Sequence, residues 1–172
     1  MINYWMVGYA LNFFFQMVII AFFLLFGRYI SGISFFSDNH FGVILLAYTG
    51  WGMCCVSMSF LLSCFINKAN SAAMIGYVFS IIMVLGCSTF CICGGIYHDI
   101  DDHKRHLKTR FFFLPHMAYS RIFYVLCEEC GWNRCWSHWN HVSDEIFTLI
   151  KALYFDAFYI FVLAVYLNEV VP

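Results

Sequence analysis

Four uninterrupted apolar stretches, residues 5–26, 41–66, 72–97 and 146–167, set the pattern of the chain. Each reaches the roughly 20 residues that cross a hydrocarbon core of about 30 Å at ~1.5 Å per residue. Each is apolar on all sides rather than striped, as befits a helix surrounded by lipid and other helices. Membrane strands alternate apolar and polar positions over about ten residues, and these runs do not alternate. The pattern therefore predicts an all-α membrane protein with four transmembrane helices. The connections are unequal. Asn67-Lys68-Ala69-Asn70-Ser71 reads as a tight turn that folds the second and third stretches into an antiparallel hairpin, with Ser71 as helix N-cap. Residues 28–40 read as a short polar link. Residues 98–145 form a 48-residue segment with most of the charge. Within it, residues 111–127 are apolar but short, interrupted by Pro115 and carrying Arg121. That combination predicts a re-entrant or interfacial helical hairpin, its helix starting at Pro115, rather than a fifth crossing.

Composition sharpens the picture. Of 172 residues, 63% are hydrophobic, 22% aromatic and only 11% charged, against about 25% charged in soluble domains. A disordered tail, a coiled coil and an ordinary soluble enzyme are excluded. A net charge of −1 gives no electrostatic footprint for nucleic acid. The start, Met1-Ile2-Asn3-Tyr4-Trp5, lacks the basic region of a signal peptide. With no internal repeat, residues 1–172 read as one membrane domain, expected to be a piece of something longer. No Gly-Lys pair occurs, so the chain has no phosphate-binding P-loop. Nucleophile-elbow, dinucleotide and His-Glu-x-x-His zinc motifs are missing too. No enzymatic activity and no cofactor are expected of this chain alone.

Some residues still carry chemistry. Asp156 lies mid-way along the last apolar stretch, where a charge costs roughly 2.5–3.5 kcal/mol to insert. It should face protein or water. It either lines a substrate path or locks helices together by bonding Asn12, Gln16 or a tyrosine hydroxyl. Lys151, nearer the end of that stretch, is expected to snorkel to the interface. Cys127 and Cys130, with Cys135, His138 and His141, form the densest metal-like cluster. Zinc, a disulfide and free thiols are all open there, and the compartment decides between them. His98, His103 and His106 among Asp99, Asp101 and Asp102 read as a solvated face. Cys54, Cys55, Cys64, Cys87, Cys91 and Cys93 lie in apolar stretches and read as packing residues. Small residues such as Gly50, Gly52 and Gly76 permit close helix approach. Trp132, Trp136 and Trp139, with Phe111-Phe112-Phe113, suit a membrane interface.

Residues 60–73, Phe-Leu-Leu-Ser-Cys-Phe-Ile-Asn-Lys-Ala-Asn-Ser-Ala-Ala, resemble a segment of the A subfamily of ABC transporters. Three further stretches agree in order and spacing. They are Tyr4-Trp5, then Leu114-Pro115 with Arg121-Ile122-Phe123-Tyr124, and then Asp156 with Tyr166-Leu167-Asn168-Glu169-Val170-Val171-Pro172. The resemblance covers nearly the whole chain. It implies the last four of six helices of one transmembrane half, a partial type-2 ABC exporter fold. Such proteins move lipids and other amphiphiles by alternating access. The implied partners are the lipid bilayer, a second transmembrane half and a separate nucleotide-binding domain that holds ATP and magnesium. The turn with Asn67, Lys68 and Asn70 would sit near that ATPase.

Sidedness is contested within the sequence. The resemblance puts the 67–71 turn and both ends in the cytoplasm and residues 28–40 and 98–145 outside. The positive-inside rule argues the reverse. Arg28, Lys104, Arg105, Lys108, Arg110, Arg121 and Arg134 lie on one side, against Lys68 on the other. The family topology is preferred here, because early helices dominate that rule. Two other functions compete with transport. One is a membrane thiol–disulfide protein using Cys127 and Cys130, although the link 28–40 offers no cysteine for relay. The other is a non-catalytic scaffold or truncated product.

Overall fold

The computed structural model describes residues 2–65, 74–79, 81–83, 85–86, 114–131 and 144–170. They are mainly helical, with no strand among them. Helix α1 is Ile2–Tyr29, α2 is Ser34–Asp38, α3 is Phe41–Phe65, α4 is Pro115–Gly131 and α5 is Asp144–Val170. Three of these contain stretches long and apolar enough to cross a membrane: Trp5–Tyr29, Phe41–Phe65 and Glu145–Val170. The chain is an integral, multi-pass membrane protein. Of the expected third crossing at residues 72–97, only positions 74–79, 81–83 and 85–86 are described, and these are helical. The 67–71 turn lies outside the described residues.

Local chemistry sets the helix boundaries. Helix α1 outlasts its apolar core by one turn and closes with Ile30 N–H donating to Phe26 O at 2.9 Å. Gly32 then takes a φ of 60°, the left-handed conformation that glycine adopts without strain. Helix α3 starts where hydropathy rises, at Phe41. His40 caps it, its Nδ1 accepting from Gly42 N–H at 3.2 Å and its carbonyl from Val43 N–H at 3.0 Å. Helix α4 begins at Pro115, as the sequence predicts. Proline suits the first helical position because that N–H would be unpaired anyway. The Leu114 carbonyl accepts from Met117 N–H at 2.9 Å.

Helices α3 and α5 share the largest contact in the fold. Their register is parallel: residues 46, 57 and 64 of α3 meet 154, 157 and 164 of α5. Helix α1 runs antiparallel to α3, with Tyr9 beside Ser57 and Phe23 beside Tyr48. The core lies between α3, α4 and α5. Val43, Ile44 and Ala47 pack with Ala118, Ile122 and Leu126 and with Ile146, Leu149 and Leu153. The outward face of α1, with Leu11, Phe14, Phe15 and Phe22, is exposed. That face suits lipid contact.

The link 28–40 is more than a polar connection. It holds α2, whose Phe35 and Phe36 are buried. Phe35 packs on Phe123 of α4 at 4.8 Å between ring centroids, and Phe36 packs on Phe23 of α1 at 5.6 Å. Helix α4 lies antiparallel to α3. Cys130 meets Asn39 just before α3 begins, while Tyr119 and His116 meet Trp51. Trp51 is about 15 Å along α3 from Phe41 at ~1.5 Å per residue. That distance is about half of a ~30 Å hydrocarbon core.

Candidate functional site

Two polar features lie within the crossing helices. The first is the seam between α3 and α5. Cys54 Sγ donates to Leu153 O at 3.1 Å, Ser57 Oγ to Ala157 O at 2.8 Å, and Cys64 Sγ to Ala164 O at 3.3 Å. Small side chains let the backbones approach, and their donors reach carbonyls that have a second lone pair to offer. Ser57 is fully buried and also lies 3.3 Å from the Tyr9 hydroxyl, so one side chain joins α1, α3 and α5. With the Ser57 proton on Ala157 O, the single Tyr9 hydroxyl proton is shared between Ser57 Oγ and Met53 O at 3.4 Å, and the Tyr9 ring rests on Phe161 at 4.5 Å.

Asp156 sits on the buried side of α5, only 4% exposed, and its Oδ2 has no hydrogen-bond partner among the described residues. It is near enough to Cys54 for the two to interact electrostatically. The structure does not bring it to Asn12 or Gln16. The helix lock expected of Asp156 is made instead by Ser57, Tyr9 and the two cysteines. A serine and two cysteines within an apolar run gave little signal. Their spacing at 54, 57 and 64, which repeats near the helical period, was the available clue. Lys151 is exposed, as snorkelling requires.

The second feature is a groove of about 380 Å³ between α1 and α3. Asn12 and Gln16 line it from α1; Cys55, Ser59 and Ser63 line it from α3, with Phe15, Ile19, Val56 and Phe60 as apolar walls. Asn12 Nδ2 donates to Gly8 O at 2.8 Å, Ser59 Oγ to Cys55 O at 2.9 Å and Ser63 Oγ to Phe60 O at 2.7 Å. Helix α1 approaches closely here because position 52 is glycine. A Cβ at Gly52 would lie 2.9 Å from both Gln16 Cγ and Ile20 Cδ1.

Helix α4 is fastened at both ends and in the middle. Near its start, Tyr119 stacks on Trp51 at 4.6 Å, and His116 meets Trp51 edge-on at 4.6 Å and Phe79 at 6.2 Å. The His116 Nδ1 has no hydrogen-bond partner among the described residues. In the middle, buried Arg121 donates from Nε to Glu145 Oε1 at 3.0 Å and covers the Tyr124 ring at 5.7 Å. At its end, Asn39 Nδ2 donates to Phe35 O and to Cys130 Sγ, both at 3.1 Å.

The predicted loop cluster is only partly described. Cys127 is a free thiol, and burial raises its pKa, which disfavours the reactive thiolate. Cys130 is disulfide-bonded, and because Cys127 is free the two are not joined to each other. Cys135, His138, His141, His98, His103 and His106 lie outside the described residues, as do Asn67, Lys68 and Asn70. Among the described residues, no group of three or more His, Cys, Asp or Glu could hold a metal ion.

Comparison with known proteins gives a consistent likeness. Over 171 residues, 99% of its length, the chain is 28% identical to ABC transporter A family member 7 of Dictyostelium discoideum. Over 172 residues it is 27% identical to ABC transporter A family member 9 of the same organism. In each case it covers 19% of the relative, so the chain spans about a fifth of the length of the curated relatives it matches. No protein-family profile and no solved structure matches it.

Proposed function

We propose that this chain is the transmembrane portion of an ATP-driven transporter of the ABC A-family kind, moving a lipid or related amphiphile by alternating access. The carrying observation is the likeness to A-family members over 99% of the chain. ATP and magnesium would be held by a separate nucleotide-binding domain, because this chain has no P-loop. Nucleotide can drive the helices only by favouring one packing over the other. The seam held by Ser57, Cys54 and Cys64 would be the unit that moves as one body. Asp156, buried with an unpaired oxygen beside that seam, would face the substrate path or a repacking helix.

The parallel register of α3 and α5 supports the membrane topology of this reading. Two parallel crossings require an odd number of returns between them, which residues 72–97 can supply once. Helix α4 is then a re-entrant helix that starts near mid-membrane and leaves on the side where α3 and α5 begin. The disulfide at Cys130 supports an outward position for that side, since disulfides persist in oxidising compartments. It weighs against the basic-residue count. The half-buried free thiol of Cys127, unpaired with Cys130, weighs against thiol–disulfide exchange as the function.

The test is to sequence the transcript beyond codon 172, express the whole product and reconstitute it in vesicles. Support would be a continuing frame with Gly-x-x-x-x-Gly-Lys-Ser/Thr and ATP-dependent transfer of a fluorescent phospholipid between leaflets. A transcript without that motif, whose product moves no lipid when supplied with ATP, would refute the proposal.

A further inference from the structure

We infer that Asp156 and His116, at the start of α4, form a mid-membrane site for the primary-ammonium head of an amphiphile. Among the described residues, two buried side-chain atoms have no hydrogen-bond partner, Asp156 Oδ2 and His116 Nδ1. They belong to different helices yet share a neighbourhood. His116 meets Trp51 edge-on at 4.6 Å, and Asp156 interacts electrostatically with Cys54. Trp51 and Cys54 are three residues apart on α3, roughly 4.5 Å along its axis. Asp156 also shares a face of α5 with Glu145, since the 11 residues between those positions make about three turns. Helix α4 packs on that face, where Arg121 donates to Glu145 at 3.0 Å. Asp156 therefore lies just past the first turn of α4, at the depth where that helix begins.

Charge and donors select the occupant. A carboxylate repels an anionic head. Among the described residues no cation pairs with Asp156. Arg121 is engaged by Glu145, about 16 Å away along α5, and Lys151 is exposed. A buried carboxylate without a partner is costly, and an ammonium group offsets that cost. His116 Nδ1 accepts a hydrogen bond in the neutral imidazole, so the ligand needs N–H donors as well as charge. A primary ammonium carries both. A quaternary ammonium carries the charge alone. Asp156 is only 4% exposed, so the head enters when α4 parts from α5, a repacking of the kind alternating access requires. The inference rests on the transport reading for the ligand being an amphiphile.

The test reads lipid retention, which needs no ATP. The whole chain in detergent micelles receives equal amounts of phosphatidylethanolamine, its N-methyl and N,N-dimethyl forms, and phosphatidylcholine. Native mass spectrometry counts the lipid that stays bound. Retention should fall along that series as N–H donors are lost, with phosphatidylethanolamine about tenfold or more above phosphatidylcholine, the range of a hydrogen bond to a charged group. Asp156→Asn should abolish the preference, and His116→Phe should reduce it about threefold. Circular dichroism checks that both variants keep their helices. Competition by a long-chain primary amine would assign the site to the ammonium alone, and failure to compete would assign it to the phospholipid head. Equal retention along the series, or a preference that survives Asp156→Asn, would overturn the inference. The transport reading fails separately, if the whole product retains phosphatidylethanolamine through Asp156 but moves no lipid with ATP.

Discussion

Ser57→Ala removes a side chain that joins three helices. The lost bond is the 2.8 Å donation to Ala157 O, from a residue with no exposed surface. Interhelical hydrogen bonds in membranes average about 0.6 kcal/mol and reach ~1.7. The geometry here is at the good end, so we expect a loss of about 1–1.7 kcal/mol. Tyr9 also loses its 3.3 Å partner, but that contact is long and Met53 O remains at 3.4 Å. Tyr9→Phe alone should therefore cost only about 0.5 kcal/mol. The double variant should cost less than the sum of the two, because they share a contact. Ser57→Val should be worse than Ser57→Ala by about 1–3 kcal/mol, since added methyl groups would force α3 from α5. The assay is unfolding of the chain in mixed micelles by increasing dodecyl sulfate, followed by circular dichroism. A neutral Ser57→Ala, or a Ser57→Val as stable as the parent, would refute the seam as the fold's tightest joint.

Three other outcomes follow from the packing. Gly52→Ala places a Cβ 2.9 Å from Gln16 and Ile20, and should weaken the α1–α3 contact by about 1–3 kcal/mol in the same unfolding assay. Glu145→Gln leaves Arg121 buried with a weaker partner. Glu145 is 42% exposed, so the loss should be about 1–2 kcal/mol rather than the 3–5 of a fully buried pair, read as faster proteolysis beside α4. His116 meets Trp51 edge-on at 4.6 Å at the start of α4. His116→Ala should therefore loosen α4 and raise maleimide labelling of Cys127.

Three of the four expected crossings, α1, α3 and α5, were legible because length and uniform hydropathy need no knowledge of neighbours. Helix α4 was legible from Pro115 and from the shortness of the apolar run behind it. Helix α2 was missed, since Phe35 and Phe36 are hidden within a link whose remaining residues are polar. The seam was missed for a deeper reason. A helix apolar on every side does not announce which face meets a neighbour, so Ser57 could not be told from Ser59 or Ser63. A charge in the membrane is costly, so Asp156 stands out in the sequence, and its Oδ2 has no hydrogen-bond partner among the described residues. Asn12 and Gln16 are polar residues of α1, and they line a groove on another face of the bundle.

The central claim is that α3 and α5 cross in the same direction, with α4 returning to the side where it entered. Accessibility of cysteines introduced at positions 37, 65, 145 and 169, in a background without other reactive thiols, tests it directly. The account predicts that a membrane-impermeant maleimide modifies positions 37 and 145 from the exocytoplasmic side, and positions 65 and 169 only after the membrane is opened. Modification of 37 and 145 from opposite sides would contradict it.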